Sequence, residues 1–145
     1  MNRVLVLHGP NLNLLGEREP DIYGKRTLEE INSEIKKYAS PHNIECSFFQ
    51  SNHEGALIDT IHEFRNKISG LIINPAGLTH TSVSLRDALS ALECPVIEVH
   101  LSNIHAREKF RRSSYISSVS TGVICGFGIH SYILAMDALI GLLQQ

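Results

Sequence analysis

Gly70-Leu71-Ile72-Ile73-Asn74-Pro75-Ala76-Gly77-Leu78-Thr79-His80-Thr81-Ser82 runs on through Leu85, Ala88, Leu89 and Leu92 to Glu93-Cys94-Pro95-Val96-Ile97-Glu98-Val99-His100. The run Leu71–Ile73 is apolar, β-branched and too short for a helix, as is Val96–Val99. Between them apolar residues fall three and four apart, the spacing of one helix face. Pro95 punctuates the return from helix to strand. Strands that are apolar without alternation are buried on both faces, as parallel strands flanked by helices are.

The same unit repeats outward in both directions. Val4–Leu7, Cys46–Gln50 and Val119–Cys125 complete a set of five strand candidates. Helical spacing recurs at Leu28, Ile31, Ile35 and Tyr38, and at Leu57, Ile58, Ile61, Phe64 and Ile68. It closes the chain at Ile133, Leu134, Leu139, Leu142 and Leu143. Thr27-x-x-Glu30 and Ser51-x-x-Glu54 have the form of capping boxes, in which a hydroxyl and a carboxylate each take an orphan amide. Pro41 and Gly70 punctuate two other returns. Five strands alternating with helices predict an α/β domain with a parallel sheet covered on both faces. Right-handed crossovers make this a doubly wound, flavodoxin-like sheet in the order 2-1-3-4-5.

The 145 residues suit one domain, expected to span 1–145. Hydrophobic residues make up 43% and charged residues 19%, with a net charge of −2, a balance of soluble globular proteins that argues against a polyanion-binding surface. The nearest approach to a basic patch is Arg107, Arg111 and Arg112. Cys46, Cys94 and Cys125 form no Cys-x-x-Cys pair and read as reduced, buried small hydrophobes, which predicts a cytoplasmic setting. The apolar run at the N-terminus is short for a secretory signal and reads as a strand. No stretch approaches the ~20 apolar residues of a membrane span.

In a doubly wound sheet of this order, ligands bind beyond the carboxyl ends of the strands, at the switch between strands one and three. Three loops lie there. The first, Gly9–Arg26, is far longer than the usual connection of about two to six residues. It carries Arg18 and Tyr23, with Gly16 and Gly24 as candidate hinges. A functional lid and a surface loop with a solvated Arg18 are both open readings. The second loop, Asn74–Thr81, opens a helix and offers Asn74 and His80 as neutral partners for hydroxyls. One of Thr79, Thr81 or Ser82 caps that helix, a task that needs no imidazole. The third begins Glu98-Val99-His100-Leu101-Ser102-Asn103, and strand alternation puts Glu98 and His100 on one side. A carboxylate beside an imidazole orients it and favours its protonated form, making a general acid near neutral pH. A structural pairing is the alternative, but both residues are costly in a central strand unless they sit at its mouth.

Several chemistries lack their residues. There is no Gly-x-Gly-x-x-Gly after the first strand, no Walker-type loop and no Gly-x-Ser-x-Gly elbow. Gly126-Phe127-Gly128 reads as a tight turn before the last helix. The eight histidines form no metal-ligand motif, and none of Lys25, Lys36, Lys37, Lys67 and Lys109 ends a central strand, where a Schiff-base amine would sit. What remains is acid–base chemistry by Arg, Tyr, His, Glu and Asn without a cofactor.

Gly9-Pro10-Asn11-Leu12-Asn13-Leu14-Leu15-Gly16 with Arg18-Glu19-Pro20 and Tyr23-Gly24 resembles the opening motif of type II 3-dehydroquinate dehydratases. Asn74 to Arg86-Asp87-Ala88, and Glu98 to Asn103 through Arg107 to Arg111-Arg112, resemble that family's later motifs in order and spacing. The resemblance implies a lyase of the shikimate pathway that turns 3-dehydroquinate into 3-dehydroshikimate by anti elimination through an enolate. It implies Tyr23 as the base at C2, favoured as phenolate by Arg18, since a phenol ordinarily ionises near pH ~10. Asn11 is implied to hold a water against the enolate oxygen, and His100, oriented by Glu98, to protonate the departing C1 hydroxyl. The amides of Leu101 and Ser102 would seat the carboxylate, with Asn74, His80 and Arg111 on the ring hydroxyls. Asp87 is implied to reach a neighbouring subunit of a homo-oligomer, trimers assembled into a dodecamer. The resemblance implies no cofactor, nucleic acid or membrane.

Two other readings remain. A non-catalytic flavodoxin-like module would need phosphate-cradling residues where Pro10-Asn11-Leu12 stands. A receiver-like domain would need paired acids where His8-Gly9-Pro10 stands.

Overall fold

The computed structural model describes residues 1–145. Strands Asn2–His8 (β1), Ile44–Gln50 (β2), Gly70–Asn74 (β3), Val96–His100 (β4) and Gly122–Cys125 (β5) form one parallel sheet in the order 2-1-3-4-5. This is the doubly wound, flavodoxin-like arrangement that the alternating pattern predicts. The four-residue helix Pro20–Tyr23 (α1) lies within the first loop. The longer helices Leu28–Ala39 (α2), Glu54–Phe64 (α3) and Val83–Ser90 (α4) supply the first three crossovers, 3-10 turns join β4 to β5, and His130–Leu143 (α5) follows the last strand. No helix is long and apolar enough to cross a membrane.

Strand alternation divides the interior. Val4, Val6, Ile72, Ile97 and Val99 point to α2 and α5, packing on Ile31, Ile35, Ala135, Met136 and Leu139. Leu5, Leu7, Leu71, Ile73 and Val96 point the other way, onto Leu57 and Ile61 of α3 and Leu85 and Leu89 of α4. Each central strand is covered twice, which is why its sequence shows no polar alternation.

Three expectations change in detail. The hydroxyl of Thr27 takes the Glu30 amide at 3.2 Å as a helix cap, but at Ser51 no box forms. Ser51 Oγ accepts instead from the His53 amide at 2.9 Å, and Glu54 is drawn to the hydroxyl of Ser82 at 2.5 Å. Ser82 is itself the cap of α4, accepting from Leu85. The last strand begins at Gly122 rather than Val119, because Ser117–Val119 folds into a 3-10 turn that aims Ser117 at Glu98. On α5 the fully buried stripe is Tyr132, Ala135, Met136 and Leu139, whereas Ile133, Leu134, Leu142 and Leu143 are only partly buried. That helix is apolar on nearly every side, so spacing alone does not select the face.

The sheet also locks the first two loops together. Gly9 donates to the Asn74 carbonyl at 2.8 Å, and a Cβ on Gly9 would lie 2.6 Å from the Pro75 carbonyl oxygen. Backbone blocks backbone there, with no flexible side chain to yield. Gly9→Ala is therefore expected to cost about 1–3 kcal/mol, read as a lower midpoint in denaturant unfolding; an unchanged midpoint would contradict this tight approach.

Candidate active site

One cleft opens beyond the carboxyl ends of β1, β3 and β4, at the topological switch point, and all three loops line it. Asn11, Arg18 and Tyr23 come from the first, Asn74 and His80 from the second. His100, Leu101, Ser102 and Arg111 come from the third. Glu98 lies directly behind His100 and is fully buried. Asp87 stands apart on the outside of α4, its side chain 64% exposed and paired with Arg86 at 3.1 Å.

Glu98 and His100 are two residues apart on β4 and share a face, and His100 Nε2 meets Glu98 Oε2 at 2.5 Å. The carboxylate also accepts from Ser114 at 3.0 Å and Ser117 at 2.7 Å. Burial is the largest influence on Glu98 and disfavours its charge. The hydrogen bonds from His100, Ser117 and Ser114, with the attraction of the His100 charge, outweigh it and hold the carboxyl below the ordinary range. Glu98 is thus an ionised anchor. It occupies Nε2 of His100 and leaves Nδ1 for the cleft.

Tyr23 is held between two guanidinium groups. Arg107 donates to its hydroxyl at 2.7 Å and to Ser102 Oγ at 3.2 Å. The guanidinium carbons of Arg18 and Arg107 lie 5.3 and 5.4 Å from its ring centroid. Positive charge thus lies on both sides of the ring. Arg107 has only 14% of its side chain exposed, against 40% for Arg18, so its charge is the less screened. By sequence alone Arg107 falls in a basic cluster and Arg18 is the expected partner of Tyr23. The signal that finds Arg107 is its seat in the loop beyond β4, facing the lid.

Asn11 has φ 71°, a left-handed backbone that asparagine tolerates. Its amide donates to Asn52 Oδ1 at 2.9 Å, and Gln50 braces Asn52 at 3.1 Å. Neither brace carries a local sequence signal. His80 Nδ1 donates to the Ser113 carbonyl at 2.7 Å, which leaves Nε2 as an acceptor when the ring is neutral. Arg111 is held by Glu108 at 2.7 Å. The Leu101 and Ser102 amides have no partner within the chain, so two donors are free to bind an anion.

Beneath the cleft lies a polar chain with no local signal in the sequence. His8, at the end of β1, bonds Tyr132 Oη through Nδ1 at 2.9 Å and Asn32 Oδ1 through Nε2 at 2.7 Å. Asn74 Nδ2 donates to the same Tyr132 oxygen at 3.2 Å, and Asn74 Oδ1 accepts from the Ala76 amide at 3.1 Å. Burial lowers the pKa of His8 from 6.5 to about 4, opposed by the Asn32 bond. Burial raises the Tyr132 phenol, opposed by the bond from Asn74.

A doubly wound sheet with a Tyr–Arg group and a Glu–His pair in one cation-rich cleft defines an α/β protein equipped for acid–base chemistry at its strand ends. The chain belongs to the class II dehydroquinases: the family described as Dehydroquinase class II matches residues 2–140. The 3-dehydroquinate dehydratase of Halothermothrix orenii is 56% identical over 145 residues, covering 100% of this chain and 98% of the relative. The 3-dehydroquinate dehydratase 2 of Pseudomonas aeruginosa is 58% identical over 134 residues, covering 92% and 90%. Among solved structures, the type II dehydroquinase of Butyrivibrio crossotus superposes with a TM-score of 0.93 at 45% identity, covering 95% of this chain and 97% of that one. That of Propionibacterium acnes gives 0.94 at 38%, covering 97% of each.

His8 sets a pH dependence. Its folded pKa lies below its unfolded value, so between pH 6.5 and about 4 the unfolded chain binds a proton that the folded chain excludes. Stability is therefore lost as pH falls through that window, by at most about 3 kcal/mol. Glu98, with a lowered pKa, adds a further loss below the ordinary carboxylate range. Unfolding free energy measured against pH should fall less steeply in His8→Asn than in the native chain between pH 6.5 and 4; parallel curves would contradict a buried neutral His8.

Proposed function

We propose that this chain is a single catalytic domain that dehydrates 3-dehydroquinate to 3-dehydroshikimate, a step of the shikimate pathway toward aromatic amino acids. The observation that carries this reading is the Tyr23 hydroxyl held by Arg107 in the same cleft as His100, itself held by the buried Glu98. The names of the relatives support the same substrate.

The reaction proceeds by anti elimination. Tyr23, as phenolate between Arg18 and Arg107, takes a proton from C2, and the electron pair moves to the carbonyl oxygen as an enolate. A water held by Asn11 donates to that oxygen. The enolate collapses, the C1–O bond breaks, and His100 gives its proton to the leaving hydroxyl, which departs as water. Solvent then returns a proton to His100 and removes the one on Tyr23, so the enzyme is restored. Glu98 stays ionised throughout and keeps the imidazolium oriented. The free amides of Leu101 and Ser102 receive the substrate carboxylate, while Asn74, His80 and Arg111 hold its ring hydroxyls. No cofactor enters the scheme.

Exposure of Asp87 outside the cleft supports a role toward a neighbouring subunit, in trimers assembled into a dodecamer. Three unpaired cysteines and the biosynthetic role of the family support a cytoplasmic location.

Addition of 3-dehydroquinate to chelator-treated protein should give growing absorbance in the enone band of the product, unaffected by borohydride. Tyr23→Phe, which removes only the ionisable oxygen, is expected to lower kcat by about 10²–10⁴-fold, and His100→Ala likewise. Near-native turnover by a folded Tyr23→Phe would overturn the base assignment, and unfolding of His100→Ala would mark that histidine as structural.

A further inference from the structure

The chain Asn32–His8–Tyr132–Asn74 joins four secondary-structure elements, and no step of the elimination uses His8 or Tyr132. Both are fully buried, and Asn74 is 4% exposed. Their rings meet edge to face with centroids 5.3 Å apart. Desolvated groups of this kind keep their place only if every donor finds an acceptor, and here the donors run in one direction.

Asn32 Oδ1 can only accept, so His8 carries its proton on Nε2. Neutral His8 then has a lone pair on Nδ1 that takes the Tyr132 O–H. With its hydrogen committed, the Tyr132 oxygen can only accept, and what it accepts is an Asn74 Nδ2 hydrogen. The opposite amide orientation would set Asn74 Oδ1 against that oxygen with no hydrogen between them. It would also leave the Ala76 amide without its acceptor, at a residue whose φ of 52° is already unfavourable. One Nδ2 hydrogen and one Oδ1 lone pair of Asn74 remain unspent.

We propose that His8 is a positioning residue for substrate binding, acting through Tyr132 to fix which way the Asn74 amide faces. Without an acceptor at position 8 the Tyr132 hydrogen is free to turn toward Asn74, so the Tyr132 oxygen no longer demands an Nδ2 hydrogen and the Ala76 amide alone holds the orientation. The inference rests on the dehydratase reading for its kinetic consequence, but not for its structural one.

The test uses His8→Leu, which removes the acceptor, and His8→Asn, whose side-chain carbonyl stands where Nδ1 was. Tyr132→Phe, which deletes the hydroxyl, repeats the test at the next link if His8→Leu does not fold. His8→Leu and Tyr132→Phe should each raise KM by roughly five- to tenfold, the worth of one hydrogen bond, with kcat changed by less than about threefold. His8→Asn should keep KM within about twofold of native. In an Asn74→Ala background the His8→Leu increase should vanish, because its route is gone. An unchanged KM in the folded variants, or an equal increase with and without Asn74, overturns the proposal. A second readout needs no turnover: hydrogen exchange at the Asn74 side-chain amide, followed by NMR without substrate. Slow exchange in the native chain and His8→Asn with fast exchange in His8→Leu supports the chain of bonds; equal exchange in all three overturns it. An inactive native protein with this exchange pattern would refute the dehydratase reading alone.

Discussion

A carboxylate without any solvent exposure in the middle of a parallel sheet is the constraint around which the site is arranged. An ion at Glu98 is tolerated only if its lone pairs are filled, and they are filled by His100 and by the hydroxyls of Ser114 and Ser117. Satisfying that charge fixes the imidazole and also draws residues 113–117 against the end of β4. The same segment supplies the Ser113 carbonyl that orients His80, and Tyr115 donates its amide to Thr79. One buried charge thus determines where the two cleft imidazoles stand and where β5 begins.

Opposite in sign is the far wall. Arg18, Arg107 and Arg111 bring three guanidinium groups to one cleft, with Glu19 beside Arg18 and Glu108 shared by Arg107 and Arg111 on their outer sides. Arg107 is the most enclosed and alone reaches the Tyr23 hydroxyl. His100 and Tyr23 therefore sit in contrasting fields, a buried carboxylate behind the imidazole and two guanidinium groups about the phenol ring.

Most of the fold was legible because its strands are buried on both faces, so Leu71–Ile73 and Val96–Val99 announce themselves as continuous apolar runs. The side shared by Glu98 and His100 was equally legible, since period two leaves no choice. Legibility ended where partners come from distant parts of the chain. Nothing near Ser51 reveals that Glu54 prefers Ser82, and nothing near Glu98 points to Ser117. On α5 apolar residues surround the axis, and tertiary packing rather than periodicity chose Tyr132 over Ile133. His8 looked unremarkable as the last residue of a strand. Its meaning lies in Asn32, Tyr132 and Asn74, separated from it by 24, 124 and 66 positions along the numbering.

The close approach of Gly9 to Pro75, with its hydrogen bond to Asn74, makes the first residues of one loop and the first residues of the next a single stiff plate. Gly16 and Gly24, with φ of 92° and 85°, bracket the stretch that carries Arg18 and Tyr23 above that plate. An excursion of the bracketed stretch would lift the phenol and its neighbouring guanidinium as one cargo, while the amide of Asn74 and the imidazole of His100 stayed behind. Phenol and imidazole would then be reunited by docking alone, with no rebuilding of the surface beneath them.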